Sequence, residues 1–323
     1  METGAIDTPV SQSLPPLTVG RVLTAWQFDV PAIVGVVVLG ALYLMAVRRV
    51  GSWPHGRVVS FFGGLATLLV VTCSFIGTYD GTLFWARAVQ VTTLLMVAPL
   101  FLALGAPLTL LMATVPSTVG ARLRRIGRGR AARTLTFPLV VTLVLVVPPF
   151  VIYLTPLYEL CLRNSVVDGL VKLVVLGAGF IYFWTRVQLD PTPREDSHLV
   201  SVWIALTEVI FDGVLGLVIW LGPLVAPDYY EAIARTWGPD LRIDQIIGAG
   251  VLWIGGDVAG LPFVAALFVR WSRDDNRKAK EIDAELDAEE AQAAESVEAG
   301  EASAKSGLWW ENDPVLAERF KRR

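Results

Sequence analysis

With 323 residues, 54% of them hydrophobic and only 18% charged, a mean hydropathy of +0.56 and 11 tryptophans, the chain is far too apolar for a soluble domain of its size. That excludes an ordinary soluble enzyme and points to an integral membrane protein. The net charge of −3 conceals segregation, because acidic residues crowd the tail after Arg273 while arginines crowd particular loops. Two cysteines, Cys73 in an apolar run and Cys161 in an expected connecting loop, cannot build a disulfide framework and leave the redox compartment open.

In chain order, residues 1–30 are polar and proline-rich and lack a basic start followed by an apolar block. They read as an extracytoplasmic N-terminal segment, not a signal peptide. Seven stretches then approach the ~20 residues that a helix needs to cross a bilayer, at about 32–47, 58–77, 83–104, 138–157, 166–185, 199–221 and 246–268. On the same composition the first extends back towards Val30. The runs are continuous, not alternating, which favours helices over barrel strands. The expected architecture is all-α: a seven-helix membrane domain over residues 31–270, followed by a cytoplasmic tail over 271–323. Gly105-Ala106-Pro107 should end the third helix before a short interfacial one, Pro148-Pro149 should kink the fourth, and the glycines of "IIGAGVLWIGGDVAGLP" should let a neighbour approach the seventh.

Basic residues fix the expected orientation. Arg48, Arg49 and Arg57 follow the first stretch, six arginines from Arg122 to Arg133 follow the third, Arg186 and Arg194 follow the fifth, and Arg270, Arg273, Arg277, Lys278 and Lys280 follow the seventh. The alternate loops hold only Arg21, Arg163, Arg235 and Arg242. The positive-inside bias therefore places the N-terminus outside and the C-terminus in the cytoplasm.

Charges within apolar runs are candidate functional groups, because each costs at least ~2.5 kcal/mol at the centre of a spanning helix when unpaired. Here they are Arg87, with Gln90 one turn on, Asp168 and Lys172 at i, i+4 spacing, Glu208 and Asp212 at the same spacing, and Asp257. Three readings are open: an ion-pair network fixing helix register, a polar pocket open to the outer face, and a proton or ion path through the midplane carboxylates.

Four segments, "FWARAVQVTTLLMVAPLFLALGAPLTLL", "YLTPLYELCLRNSVVDGLVKLVVLGAGFIYFW", "APDYYEAIARTWGPDLRIDQIIGAGVLWIGG" and "FVRWSRDDNRKAKEIDAELD", resemble the CtaG-type cytochrome c oxidase assembly factor family in its actinobacterial form. The resemblance covers roughly Gly20 to Asp287. It implies a seven-helix plasma-membrane protein that helps assemble the copper centres of the terminal oxidase, with oxidase subunits or other assembly factors as partners. It also implies a His-Met-x-x-His type segment in the third helix and further histidines in the fifth. This chain departs from that pattern, reading Arg87-Ala88-Val89-Gln90-Val91 and Asn164, Asp168, Lys172 there. Guanidinium and ammonium groups offer no lone pair to copper at neutral pH. The two histidines, His55 and His198, fall in expected cytoplasmic loops. Cys73 and Met96 leave a soft Cu(I) site as an alternative, though buried sulfur side chains usually pack. The expectation is that Arg87 and Lys172 face Asp168, Asp212 and Glu208, so that charge pairing stands where relatives ligate a metal. No metal ligands and no cofactor are assigned, and a role for copper rests on resemblance alone.

The outer loop "DYYEAIARTWGPDLRIDQ" offers Asp228, Tyr229, Tyr230, Trp237, Asp244 and Gln245 as a docking surface for a partner, or as an interfacial helix. In the tail, an acidic Ala-rich run precedes Trp309 and Trp310, which with Val315, Leu316 and Phe320 suit an amphipathic element on the inner membrane surface or a partner. The chain has no phosphate loop, zinc spacing or serine–histidine pair on the outer side. Lipid head groups account for the arginine loop more simply than nucleic acid does. The sequence therefore reads as a non-enzymatic membrane factor in oxidase biogenesis, with a transporter or channel using the midplane carboxylates, and a copper chaperone, as alternatives.

Overall fold

The computed structural model describes residues 14–127, 129–187, 189–190, 198–256, 258, 272, 275–277, 279 and 282–292. The chain divides into two compact units, Met1–Val264 and Ala265–Arg323. Within the second, residues 282–292 form a helix that exposes Ile282 and Leu286, one turn apart. Asp257, Trp309 and Trp310 lie outside the described residues.

All regular elements described in the first unit are helical. A short helix α1 (Val19–Thr24), unanticipated from sequence, precedes α2 (Val30–Val50). The start of α2 is written in "DVP": the Asp29 carboxylate accepts the Ala32 N–H at 3.0 Å, and Pro31 occupies the first turn, where its missing N–H costs nothing. At the other end Gly51 adopts a φ of +75° that stops the helix.

Helix α3 (His55–Cys73) breaks at Ser74, whose extended backbone starts α4 (Phe75–Tyr79). The break orphans the last carbonyls of α3, and each finds a partner elsewhere. Gln90 Nε2 donates to Val71 O at 3.1 Å, Gln27 Nε2 to Thr72 O at 3.0 Å, and the Gln27 backbone N–H to Cys73 O at 2.7 Å. The N-terminal segment is thereby tied down, with Tyr79 donating to Pro15 O at 2.8 Å and Trp237 to Leu14 O at 2.7 Å over a small core of Ala25, Tyr79, Leu83 and Ala86.

The third crossing is built from α5 (Phe84–Thr92), a π-helical turn (Thr93–Val97) and α6 (Ala98–Leu104). The turn has a covalent cause. Pro99 cannot donate to the carbonyl four residues back, that of Leu95, and its ring would clash with it, so the helix widens. The displaced Leu95 carbonyl then leans on Gly179, where a Cβ would sit only 2.0 Å from it. Of the four single helices among the described residues that are long and apolar enough to cross a membrane, Phe84–Leu104 is the most buried, at 67%, and Val30–Val50 the least, at 11%. The first is thus the axis of the bundle, with α3 packed along α6, and α2 lies at its periphery against α3 and α7.

As expected, Gly105-Ala106-Pro107 ends this crossing: Ala106 is left-handed (φ 48°) and α7 (Pro107–Thr114) follows. Ala106 has no side chain to cap α7, and Asp190 does so from a distant part of the chain. Its carboxylate accepts the Leu108 N–H at 3.2 Å, the Thr109 N–H at 2.7 Å and the Thr109 hydroxyl at 2.6 Å. The arginine-rich connector forms α8 (Ser117–Gly127) and α9 (Arg130–Leu135).

Helix α10 (Pro138–Leu154) is one continuous helix through Pro148-Pro149, and a bend of 73° falls at Thr155-Pro156, before α11 (Leu157–Arg163). There Pro156 excludes the helical conformation from the residue before it. Cys161 accordingly lies on a helix, not in a loop. Helices α12 (Ser165–Val187) and α13 (His198–Leu221) follow the fifth and sixth predicted stretches, and α14 (Pro227–Ile233) and α15 (Leu241–Gly250) follow them. A second π-helical turn (Val251–Gly255) continues α15 into the seventh predicted stretch. Among the described residues four helices pass as membrane spans by length and composition, or five with the bent pair Pro138–Leu154 and Leu157–Arg163. Seven is therefore more than the described helices establish.

Candidate functional site

Four charged side chains close into a ring where α4, α5 and α12 meet. Arg87 stands one turn into α5, and Asp168 and Lys172 lie one turn apart on α12. Asp80 ends α4. The guanidinium Nη2 of Arg87 donates to Asp168 Oδ1, and its Nη1 lies 3.5 Å from Asp80 Oδ2. Lys172 Nζ reaches Asp80 Oδ2 at 3.0 Å and Asp168 Oδ2 at 2.7 Å. Each cation thus touches both carboxylates, and two positive charges cancel two negative ones. The Arg87 side chain is only 2% exposed and the other three are 15–16% exposed. A charge so placed must be matched in full, because one left uncompensated in a low-dielectric site costs several kcal/mol.

Arg87 and Lys172 both meet Asp168, as expected. The expected partners Asp212 and Glu208 are corrected: the second carboxylate is Asp80. Sequence reading passed over Asp80 because it falls between two apolar runs, but one signal was available. It precedes Arg87 by seven residues, two helical turns, so a tight connector sets it directly above the guanidinium. Glu208 instead accepts the Tyr182 hydroxyl at 2.5 Å. Asp212 lines a cavity of about 10 Å³ with Thr92, Met96 and Pro149 beside the first π-helical turn. That is room for one water molecule at ~10–15 Å³. Gln90, fully buried, serves α3 through Val71.

The loop over residues 228–245, expected on the outer side, is internal architecture more than open surface. Tyr230, Asp244 and Gln245 are buried, Tyr229 and Trp237 are half-buried, and of these six residues only Asp228 is exposed. Asp244 does for α5 what Leu83 cannot: Oδ2 accepts the Phe84 N–H at 3.1 Å and Oδ1 the Trp85 N–H at 3.0 Å. Gly248, one turn on, permits this approach, since a Cβ there would lie 2.3 Å from the Phe84 ring. Arg235 completes the cap, 3.1 Å from Asp244 Oδ2, while also donating to Trp237 O and Pro239 O. Burial pushes the Asp244 carboxyl above its ordinary value, outweighing the backbone donors and Arg235.

Gln245 clamps the end of α13, donating to Ile219 O at 2.8 Å and Pro223 O at 2.9 Å and accepting from Val225 N at 2.8 Å. The Tyr230 hydroxyl is 2.7 Å from that of Tyr158. These polar residues fit an enclosed network because each has a backbone or side-chain partner within it.

A copper ion does not suit the ring. Its donors are two hard carboxylates already shared between two protonated cations, whereas copper prefers imidazole and sulfur. Cys73 is buried with Thr72 Oγ1 3.6 Å from its sulfur, and Cys161 is buried on α11. Among the described residues no group of three or more His, Cys, Asp or Glu side chains is placed to hold a metal.

Fold and site together define a helical membrane protein in which α4, α5 and α12 are cross-tied by buried charges. The sequence profile of the cytochrome c oxidase caa3 assembly factors (Caa3_CtaG) matches residues 41–274, and the chain belongs to that family. Uncharacterized proteins of Mycobacterium bovis and Mycobacterium tuberculosis are each 28% identical to it over 300 residues, covering 88% of this chain and 45% of theirs. An uncharacterized protein of Mycobacterium leprae is 26% identical over 296 residues, with the same coverage. The chain thus spans less than half the length of the curated relatives it matches. No solved structure matches it significantly.

Proposed function

We propose that the chain acts in biogenesis of cytochrome c oxidase as a non-enzymatic scaffold of the plasma membrane, docking oxidase subunits or other assembly factors without carrying copper in the charge ring. Membership of the assembly-factor family across residues 41–274 carries this reading. In it the chain crosses the membrane seven times with its N-terminus outside, which is supported by the alternation of arginine-rich and arginine-poor loops. The ring then lies towards the outer face, where it joins α4, α5 and α12 by charge pairing. Partner contacts fall to surfaces outside the internal network of Asp244 and Gln245.

A transport role is the second reading. It is favoured by Asp212 beside a water-sized cavity and by Glu208 bonded to Tyr182. Copper delivery is the third and rests on the resemblance alone. Deleting the gene and assaying oxidase activity with and without added copper separates the three. Loss that copper does not rescue supports the scaffold, rescue by copper supports delivery, and unchanged oxidase supports transport.

A further inference from the structure

The bend between α10 and α11 opens a cavity that neither the charge ring nor the family accounts for. It lies between the end of α10 and the end of α13, has a volume of about 390 Å³, and is walled by Tyr153, Leu154 and Tyr158 on one side and Val218, Ile219 and Leu224 on the other. That volume is ligand-sized, within the ~300–1,000 Å³ of small-molecule sites. Leu154 in its wall, and Leu160, Trp220 and Leu221, next in sequence to wall residues, are 46%, 48%, 42% and 72% exposed. Large apolar side chains at helix ends, with a tryptophan among them, mark the border between hydrocarbon and head groups.

The rim carries both signs of charge. Glu159, which lines the cavity, accepts from Arg163 Nε at 2.8 Å and lies 2.7 Å from its Nη2. Their side chains are 35% and 49% exposed, so both reach the surface, and the Arg163 guanidinium also lies 5.6 Å from the centre of the Tyr229 ring.

We propose that this cavity is a phospholipid site: one acyl chain enters between α10 and α13, and a phosphoethanolamine head group lies over the Glu159–Arg163 pair. The apolar part of the wall, Leu154, Val218, Ile219 and Leu224, matches a hydrocarbon chain, and the polar part lies with Glu159 at the rim. The head group's ammonium donates to Glu159 and its phosphate accepts from Arg163, so a zwitterion satisfies both ends of the pair. A head group that is only anionic meets the Glu159 carboxylate unfavourably, and a choline head has no N–H to donate to it. The site depends only on α10 and α13 lying in a membrane, not on the role in oxidase biogenesis.

The test is native mass spectrometry of the full chain in detergent. It is delipidated, then offered equal amounts of phosphatidylethanolamine, phosphatidylcholine and phosphatidylglycerol with identical acyl chains. One lipid should be retained, with ethanolamine preferred by about three- to fivefold, the ratio a half-exposed ion pair supports. Glu159→Gln should keep the lipid but bring ethanolamine and choline to parity. Val218→Trp should fill the cavity and lose the lipid, while Leu143→Trp, elsewhere on α10 and 49% exposed, should retain it. Absence of retained lipid, a preference for the glycerol head group, or an unchanged ranking in Glu159→Gln overturns the proposal. Should Val218→Trp fail to accumulate, the Glu159→Gln ranking decides, because that substitution is at the rim and leaves the walls intact.

Discussion

Replacing Asp80 with Asn keeps the shape of one corner of the ring and removes its charge. Asp80 Oδ2 lies 3.0 Å from Lys172 Nζ and 3.5 Å from Arg87 Nη1, so the variant leaves two cations sharing Asp168 alone. Breaking a buried pair costs about 3–5 kcal/mol, against ~0–1 kcal/mol for an exposed one. With Arg87 2% exposed and Asp80 and Lys172 each 15% exposed, the site stands near the buried limit. Partial access to water sets the expectation at the lower end, about 3 kcal/mol. At roughly 2–4 °C per kcal/mol for a chain of this size, the thermal midpoint should fall by about 6–12 °C. Tryptophan fluorescence of the full chain on heating in detergent measures it, with the exposed Asp228→Asn as control. Adding Lys172→Met to Asp80→Asn restores neutrality and should recover much of the loss. A midpoint for Asp80→Asn within about 1 °C of wild type, after a predicted drop several times larger, would refute the reasoning.

Other substitutions probe the joints around the ring. Asp190→Ala strips α7 of the carboxylate that caps it and should cost about 1–2 kcal/mol in the same unfolding assay. Gly179→Ala drives a methyl group against the Leu95 carbonyl and should cost about 1–3 kcal/mol, or more if α12 cannot shift. Asp244→Asn spoils the shared cap of α5 and should cost about 1–3 kcal/mol. Its pH dependence has a definite sign. Burial raises the native carboxyl above the ordinary 3.8 of the unfolded chain, so the native state holds the proton to higher pH. The stability that this proton brings is present below the unfolded value and is lost as pH rises through the native one. The wild-type margin over Asp244→Asn should therefore narrow from acidic to neutral pH, as followed by unfolding at a series of pH values.

How far the sequence revealed this arrangement depended on whether a signal was local. Helix α2, the stop at Gly105-Ala106-Pro107 and the closeness permitted by Gly248 follow from caps, proline and glycine a few residues away, and each was legible. The pairing of Arg87 and Lys172 with Asp168 was legible because unpaired charge in an apolar run demands a partner. Its completion by Asp80 was not, since a loop carboxylate gives no such alarm until the tight turn after α4 is known. Asp190 and Asp244 cap helices more than 80 and 150 residues away in sequence, and no local pattern announces a cap supplied from afar. The same reason turned a loop that resembled a docking face into an internal joint. Its aromatic and acidic composition suits both, and only burial distinguishes them. The π-helical turn was not read from the sequence, because the glycine that receives the Leu95 carbonyl lies on another helix.

The account rests on pairing between Arg87 and Asp168, and a double-mutant cycle tests it most directly. Unfolding free energies of wild type, Arg87→Leu, Asp168→Leu and the double variant should show a coupling of about 1.5–3 kcal/mol, because the double variant leaves Lys172 and Asp80 as a neutral pair. Strictly additive losses, with a coupling below about 0.5 kcal/mol, would contradict it.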